Sequence, residues 1–218
     1  MGRHGDRVRQ ALLDSAEELF ATHGVDAVSN RHIAEHAGNA NHSAVTYHFG
    51  GRDDLIRALM ERHTDDTRRR RRGLADLLGE HPELRDLLSC LILPWTDQLA
   101  AQPRPSRRAR LLQQLRATPS GIELISLLSD PLVDALVVRT LDVLSDIPAP
   151  VLMGRSWIMG RMVTDVCAQY ESILDQDSIE PDWTGLAHFL IDAAAGILTA
   201  RVTSVGDFLS PRAVSTLS

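Results

Sequence analysis

An all-α fold follows from three observations along this chain of 218 residues. Apolar residues recur at helical spacing in segment after segment. Proline and glycine separate those segments, and no stretch alternates apolar and polar residues as a half-buried strand does. The length exceeds one small three-helix module and leaves roughly 160 residues for a second helical body with its own core. A hydrophobic share of 44% supplies that core amply.

In the first expected helix Val8, Leu12, Ala16, Leu19 and Phe20 share one face, and Gly24 ends it. Ser29 is placed to cap a second helix, where Ile33, Ala34 and Ala37 form a narrow apolar stripe. Gly38 then supplies the positive φ of a C-terminal cap. The chain restarts within two or three residues, room only for a tight turn between crossed helices. A third helix is expected from Asn41 to His48, with Ala44, Val45 and Phe49 inward. Asn41, His42, Ser43, Thr46, Tyr47 and His48 are left with polar atoms and no internal partner. Such groups suit base edges and phosphates in a major groove, so residues 29 to 55 read as a helix-turn-helix.

A fourth helix is expected from about Arg52 to Leu78, and a fifth from Leu84 to Ala101 in which Pro94 deletes the backbone bond to Cys90 and introduces a kink. Gln102-Pro103-Arg104-Pro105-Ser106 is a loop. Further helices are expected at 107–117, at 121–145 with a disturbance at Asp130-Pro131, at 151–176, at 182–204 and at 211–217.

The run AVTYHFGGRDDL, Ala44 to Leu55, resembles the hallmark segment of TetR-family transcriptional regulators, which closes the recognition helix and opens the fourth. The resemblance covers about residues 6 to 60. It implies a helix-turn-helix DNA-binding domain over residues 1–51 and a helical ligand-binding and dimerisation domain over 52–218. The chain departs from the family pattern after the turn glycine. Asn39 and Ala40 stand where an apolar residue and then Ser or Thr are usual, so Asn39 or Asn41 is left to cap the recognition helix and shift its start. Gly51 also stands where a small polar residue is common. The expected DNA contacts are Ser29, Arg31, Asn39, Asn41, His42, Ser43, Thr46, Tyr47, His48 and Arg52. Arg52 holds the family's basic position, where side chain and helix N-terminus together suit a phosphate. Arg3 and Arg7 are further phosphate candidates.

Net charge is −6, which gives no overall attraction to DNA. The distribution is uneven: residues 1–72 hold twelve Arg against eleven acidic residues, and residues 73–218 hold eleven against eighteen. A locally basic reading face carried on an acidic body is compatible with specific, salt-sensitive binding. The run Arg68 to Arg72 lies deep in the fourth helix and reads as a solvated face.

Other chemistry finds little support. His32 and His36 are one turn apart on a helix, but no cysteine or carboxylate completes a metal set around them or around His63, and no metal or cofactor is expected. No nucleophile elbow, phosphate loop or zinc-protease helix is present, so no catalysis is expected. Cys90 and Cys167 are isolated and read as small buried hydrophobes. No apolar run is long enough to span a bilayer and no signal-peptide core follows the start, so a cytoplasmic location without membrane contact is expected.

Two late helices read as a dimer interface. Leu152, Trp157, Met159, Val163, Val166, Tyr170, Ile173 and Leu174 make a wide stripe on one, and Leu186 to Ala200 is apolar almost all round on the other. The resemblance implies a homodimer through a four-helix bundle of these helices, with Val163, Val166, Tyr170, Leu186, Leu190, Ala193, Ala194 and Ile197 in the interface. It also implies a small-molecule effector, apolar or aromatic, held by Trp95, Gln98, Leu99, Leu112, Leu115, Leu128, Arg155, Trp157, Met159 and Met162. The function expected is a ligand-released repressor that binds a palindromic double-stranded operator as a dimer. A helical binding or interaction module without operator-specific regulation is the alternative, and binding to fragments of its own genome separates the two.

Overall fold

The computed structural model describes residues 3–62, 64–104, 106–127, 130–176 and 179–203, except the side chain of Arg3. These residues form α1 (Arg3–His23), α2 (Asn30–His36), α3 (Ala44–Phe49), α4 (Arg52–Glu61), α5 (Thr64–Ala75), α6 (Leu84–Ala100), α7 (Arg108–Arg116), α8 (Pro119–Leu127), α9 (Pro131–Val143), α10 (Ala149–Gln176) and α11 (Trp183–Thr199). No strand occurs among the described residues. None of the described helices is long and apolar enough to cross a membrane.

The first four helices close on a core that includes Leu12, Ala16, Leu19, Phe20, Ile33, Ala34, Val45, Leu55 and Leu59. Leu111 and Leu115 of α7 and Leu124 of α8 complete it, so the head shares its core with the body. Burial of the two α7 leucines contributes about 3–6 kcal/mol to that junction. The half-buried ion pair that also crosses it, Arg107 to Glu18 at 3.2 Å, is worth about 0–1 kcal/mol. Apolar packing, together with the buried Arg108 guanidinium that bonds the end of α4, therefore sets how the head is seated.

The body core joins α6, α10 and α11 through Leu88, Ile92, Leu99, Cys167, Ala168, Leu190, Ala194 and Leu198. A smaller cluster of Leu87, Cys90 and Leu136 ties α6 to α9. Both cysteine thiols are buried, and burial pushes Cys167 up to about 12. The carboxylate of Glu171, fully buried on α10, accepts hydrogen bonds from the amides of Ala109 and Arg110 and from Ser106 Oγ at 3.1, 3.0 and 2.6 Å. It thereby fixes the start of α7.

Four boundaries differ from the sequence expectation. The fourth helix ends at Glu61 and a new one begins at Thr64. At this break the Leu59 and Met60 carbonyls accept from the Arg108 guanidinium at 2.5 and 2.9 Å, and Met60 O also accepts from Thr64 Oγ1 at 2.8 Å. The expected helix at 121–145 is two helices, because Asp130 caps α9 by accepting from the Leu132 amide at 3.1 Å and Pro131 takes the first position. The last described helix ends at Thr199, and the expected helix at 211–217 lies outside the described residues. The third helix begins at Ala44, three residues later than expected, for the reason given next.

Candidate nucleic-acid interface and effector cavity

The turn between α2 and α3 is built from backbone needs that the sequence meets one by one. Ser29 Oγ accepts from the His32 amide at 3.1 Å and caps α2. Gly38 has φ +68°. That left-handed residue lets the Gly38 amide donate to Glu35 O at 3.0 Å and the Asn39 amide to Ala34 O at 2.9 Å, the paired bonds of a Schellman ending. Asn39 Oδ1 then accepts from the Asn41 amide at 2.9 Å, and Asn41 Oδ1 accepts from the Ser43 amide at 3.0 Å. Two successive Asx turns occupy the stretch where a Ser or Thr cap is usual. They hold residues 39–43 outside the helix, which is why α3 starts at Ala44. Gly50 ends α3 at φ +94°, where a Cβ would stand 3.0 Å from Asp54 Oδ2. Gly51 is extended and carries no such requirement.

Ala44 and Val45 point into the head core, and this leaves Asn41, His42, Ser43, Thr46 and Tyr47 exposed on one side. Tyr47 is 78% exposed, an uncommon position for an aromatic side chain with no function. Its ring meets His48 edge-on at 5.0 Å, and His48 is itself half-buried with Nδ1 unpartnered. Glu35 lies across the turn, where its carboxylate accepts from Arg31 Nε at 2.8 Å and stands 3.5 Å from His42 Nδ1. The Arg31 hydrogen bond holds the Glu35 carboxyl below its ordinary value. Arg31 and Glu35 sit on the exposed face of α2.

Arg52 does not extend into solvent as a phosphate ligand would. Its guanidinium is half-buried, donates to Val28 O at 2.6 Å and also to Val25 O, and lies 4.9 Å from the centroid of the Phe20 ring. Burial pulls its pKa down, and Asp26 and Asp53 pull it back up. It pins the loop between α1 and α2. Arg9, which sequence reasoning passed over, lies 4.8 Å over the Phe49 ring at the end of α3. Neither contact has a periodic signature, because each joins residues far apart in the chain. Arg7 is exposed near the start of α1.

The expected ligand residues are scattered. Trp95, Gln98 and Leu112 line one cavity of about 400 Å³ between α5, α6, α7, α8 and α9. Leu99 is buried in the body core and Leu115 in the head core. Met159 and Met162 lean on the body core, and Leu128 lies outside the described residues. Trp157 is 58% exposed and borders a separate depression with Ile122 and Arg161. Arg155 caps α11 by donating to Leu198 O and Ala200 O, each at 2.6 Å, so it is committed to backbone.

The cavity wall holds Arg71, which sequence reasoning placed on a solvated face. Arg71 is 8% exposed and pairs with Asp130 at 3.0 Å, because its position on α5 faces α9. Gln98 is 3% exposed, and neither its Oε1 nor its Nε2 has a partner.

Of the expected dimer residues, Leu190 and Ala194 face the body's own core and are fully buried in a single chain, so they cannot meet a second one. Val163, Val166, Tyr170 and Leu186 pack partly on the same core. Tyr170 also accepts from the Asp182 amide at 2.7 Å and meets Trp183 edge-on at 4.9 Å. Ala193 and Ile197 are half-buried. The exposed apolar side chain of α11 is Phe189, 60% exposed and absent from the expected set.

Residues 12–59 match the family model for bacterial regulatory proteins of the tetR family. A curated relative, the HTH-type transcriptional dual regulator CecR of Shigella flexneri, is 30% identical over 124 residues, which is 56% of this chain and 46% of CecR. The chain thus spans about half the length of that relative. A crystal structure from Rhodococcus sp., assigned to the TetR-family transcriptional regulators, is 18% identical, with a TM-score of 0.50 and coverage of 88% of this chain and 99% of that one. This likeness extends the shared fold through the helical body. The head, with its Schellman turn and exposed α3 face, is thus the part of the chain that matches the family model of tetR-type bacterial regulatory proteins.

Proposed function

We propose that the chain is a DNA-binding transcriptional regulator, a ligand-released repressor that binds a palindromic operator as a homodimer. The observation that carries this reading is α3, a short helix with one face in a dry core and the other offering Thr46 and Tyr47 to solvent beside Asn41, His42 and Ser43. Residues 1–51 form the reading head, and 52–218 supply effector binding and dimerisation. Arg7, Arg31, Thr46, Tyr47 and His42 face the duplex. Ser29, Asn39 and Arg52 act one step back, by holding the turn and the α1–α2 loop in shape. The chain acts in the cytoplasm and catalyses no reaction.

Pairing is required for specificity, because a single short helix reads only a few base pairs and two heads must sit about 34–36 Å apart to enter successive major grooves. The exposed face of α11 around Phe189, Ala193 and Ile197, next to α10, is the surface we assign to the partner. CecR is a dual regulator, so activation at some sites is compatible with the same architecture. Selection from fragments of the source genome, followed by anisotropy titration at several salt concentrations, tests the reading. Recovery of one two-fold symmetric sequence, bound about 10³-fold or more above random DNA, is expected. Uniform binding to all fragments would replace it with the non-regulatory alternative.

A further inference from the structure

The cavity between α5 and α9 gathers most of the side-chain atoms that are buried without a hydrogen-bond partner among the described residues. Gln98, 3% exposed, leaves both its donor and its acceptor unpartnered, and Nε of Arg71, Arg108 and Arg116 is likewise buried and unpartnered on the same walls. A buried amide left unpaired costs about 1–3 kcal/mol, so an apolar side chain would serve a purely structural position better. The unpartnered atoms are mostly donors: four N–H-bearing nitrogens against a single carbonyl oxygen. Charge runs the same way. The guanidiniums whose Nε is buried and unpartnered, Arg71, Arg108 and Arg116, stand against Asp130 and Asp134, one positive charge in excess, which suits a single negative head more than a dianion. The rest of the wall is mostly apolar, with Met60, Trp95, Leu112, Ile125 and Val133 beside Thr64, Thr67 and Ser126.

From this donor-rich, apolar-walled cavity we infer that the effector is an organic monocarboxylate with an apolar, ring-sized body. Its carboxylate accepts from Gln98 Nε2 and from guanidinium N–H groups, and its ring lies against Trp95. The inference rests on the ligand-responsive reading proposed above and adds the chemical class. It sharpens the expectation of an apolar or aromatic effector to one that must also carry an acid.

Three probes with one body separate the classes: 4-phenylbutyrate, 4-phenylbutanol and 4-phenylbutylamine, titrated into the full chain by calorimetry at about pH 7, where a carboxylic acid is ionised and an amine protonated. The carboxylate is expected to bind at least about tenfold more tightly than the alcohol, and the amine most weakly, because only the carboxylate gains charge-assisted hydrogen bonds from these donors. Gln98→Leu should lose about tenfold in carboxylate affinity while the unliganded protein melts at the same or a higher temperature. A lowered melting temperature with unchanged affinity would make Gln98 structural and overturn the assignment. Equal affinity for all three probes, or no binding of any at millimolar concentration, would overturn it too. Operator binding measured alongside keeps the two readings apart. If the alcohol or amine binds best and releases operator, the carboxylate class falls and ligand release stands. If the carboxylate binds through Gln98 and operator affinity does not change, the class stands and ligand release falls.

Discussion

Replacing Arg52 tests whether the family's basic position at the start of α4 touches DNA or holds the head together. Its guanidinium makes two hydrogen bonds to backbone carbonyls, Val28 O at 2.6 Å and Val25 O, and covers the Phe20 ring at 4.9 Å. Hydrogen bonds to a charged group contribute about 1.5–3 kcal/mol each and a cation–π contact at a part-exposed site about 0.5–1 kcal/mol. The site is only half-buried, so water can replace part of this, and a net loss of about 2–3 kcal/mol on Arg52→Ala is the reasoned value. At about 2–4 °C per kcal/mol for a chain of this size, the melting temperature should fall by roughly 4–12 °C. Arg52→Lys is the decisive companion. A lysine keeps the charge but cannot donate to two carbonyls from one planar fork, so it should lose most of the same stability. Circular dichroism melts of both variants, with hydrogen exchange at residues 25–28, read the effect. A phosphate ligand would behave differently, with lysine retaining operator affinity and alanine melting as the parent does. That outcome would refute the clamp.

Tyr47→Ala should leave the melting temperature unchanged, because the ring is 78% exposed, yet weaken operator binding by about 1–3 kcal/mol in an anisotropy titration. Asn41→Asp keeps the oxygen that accepts from the Ser43 amide but replaces the side-chain donor by a negative charge that repels DNA, so affinity should fall with little change in stability. Asn41→Ala should lose both, with about 1 kcal/mol of stability. Phe189→Glu should yield helical monomers by light scattering, whereas Ala194→Arg should unfold the body, since Ala194 has no exposed surface. Stability held by the Arg31–Glu35 bond is present above the ordinary carboxyl value of 4.5 and is lost as pH falls through the lower folded value. Arg31→Ala should raise the Glu35 midpoint, followed by carboxyl NMR, toward that ordinary value.

What the sequence made legible was what short-range rules govern. Ser29, Gly24 and Gly38 announce a cap and two helix endings, and the structure uses each for that purpose, both glycines at positive φ. The missing Ser or Thr cap was also visible, but its result was not, because the two side-chain acceptors formed consecutive Asx turns outside the helix. Long-range partners escaped. Arg52 reads as a phosphate contact, Arg71 as part of a solvated face and Arg155 as an effector contact, and Arg108 drew no reading, yet each is held by groups between 43 and 59 residues away, or 24 to 27 in the case of Arg52. An arginine's stem and fork serve a buried carbonyl as well as a phosphate, and spacing along a helix does not tell the two apart. The inward face of α11 was misassigned for a related reason: an all-round apolar helix has two faces to bury, and periodicity cannot say which one α6 covers.

The geometry of α7 bears directly on the proposed release of operator. Leu111 and Leu115 of this helix lie in the head core, while Arg108, Leu112 and Arg116, each one position round the helix, line the cavity. Arg108 also holds the last carbonyls of α4, and Glu171 holds the first amides of α7 from the body side. A ligand that displaces the cavity face of α7 therefore acts on the head through packed leucines, without needing to unseat them. A coupling of about 1–3 kcal/mol is enough to lower operator affinity five- to 150-fold. The leucine anchor, at about 3–6 kcal/mol, is larger than that coupling. On these magnitudes the head moves with α7 as one body and does not detach from it, so the reading surface stays folded while its spacing from the partner's head changes.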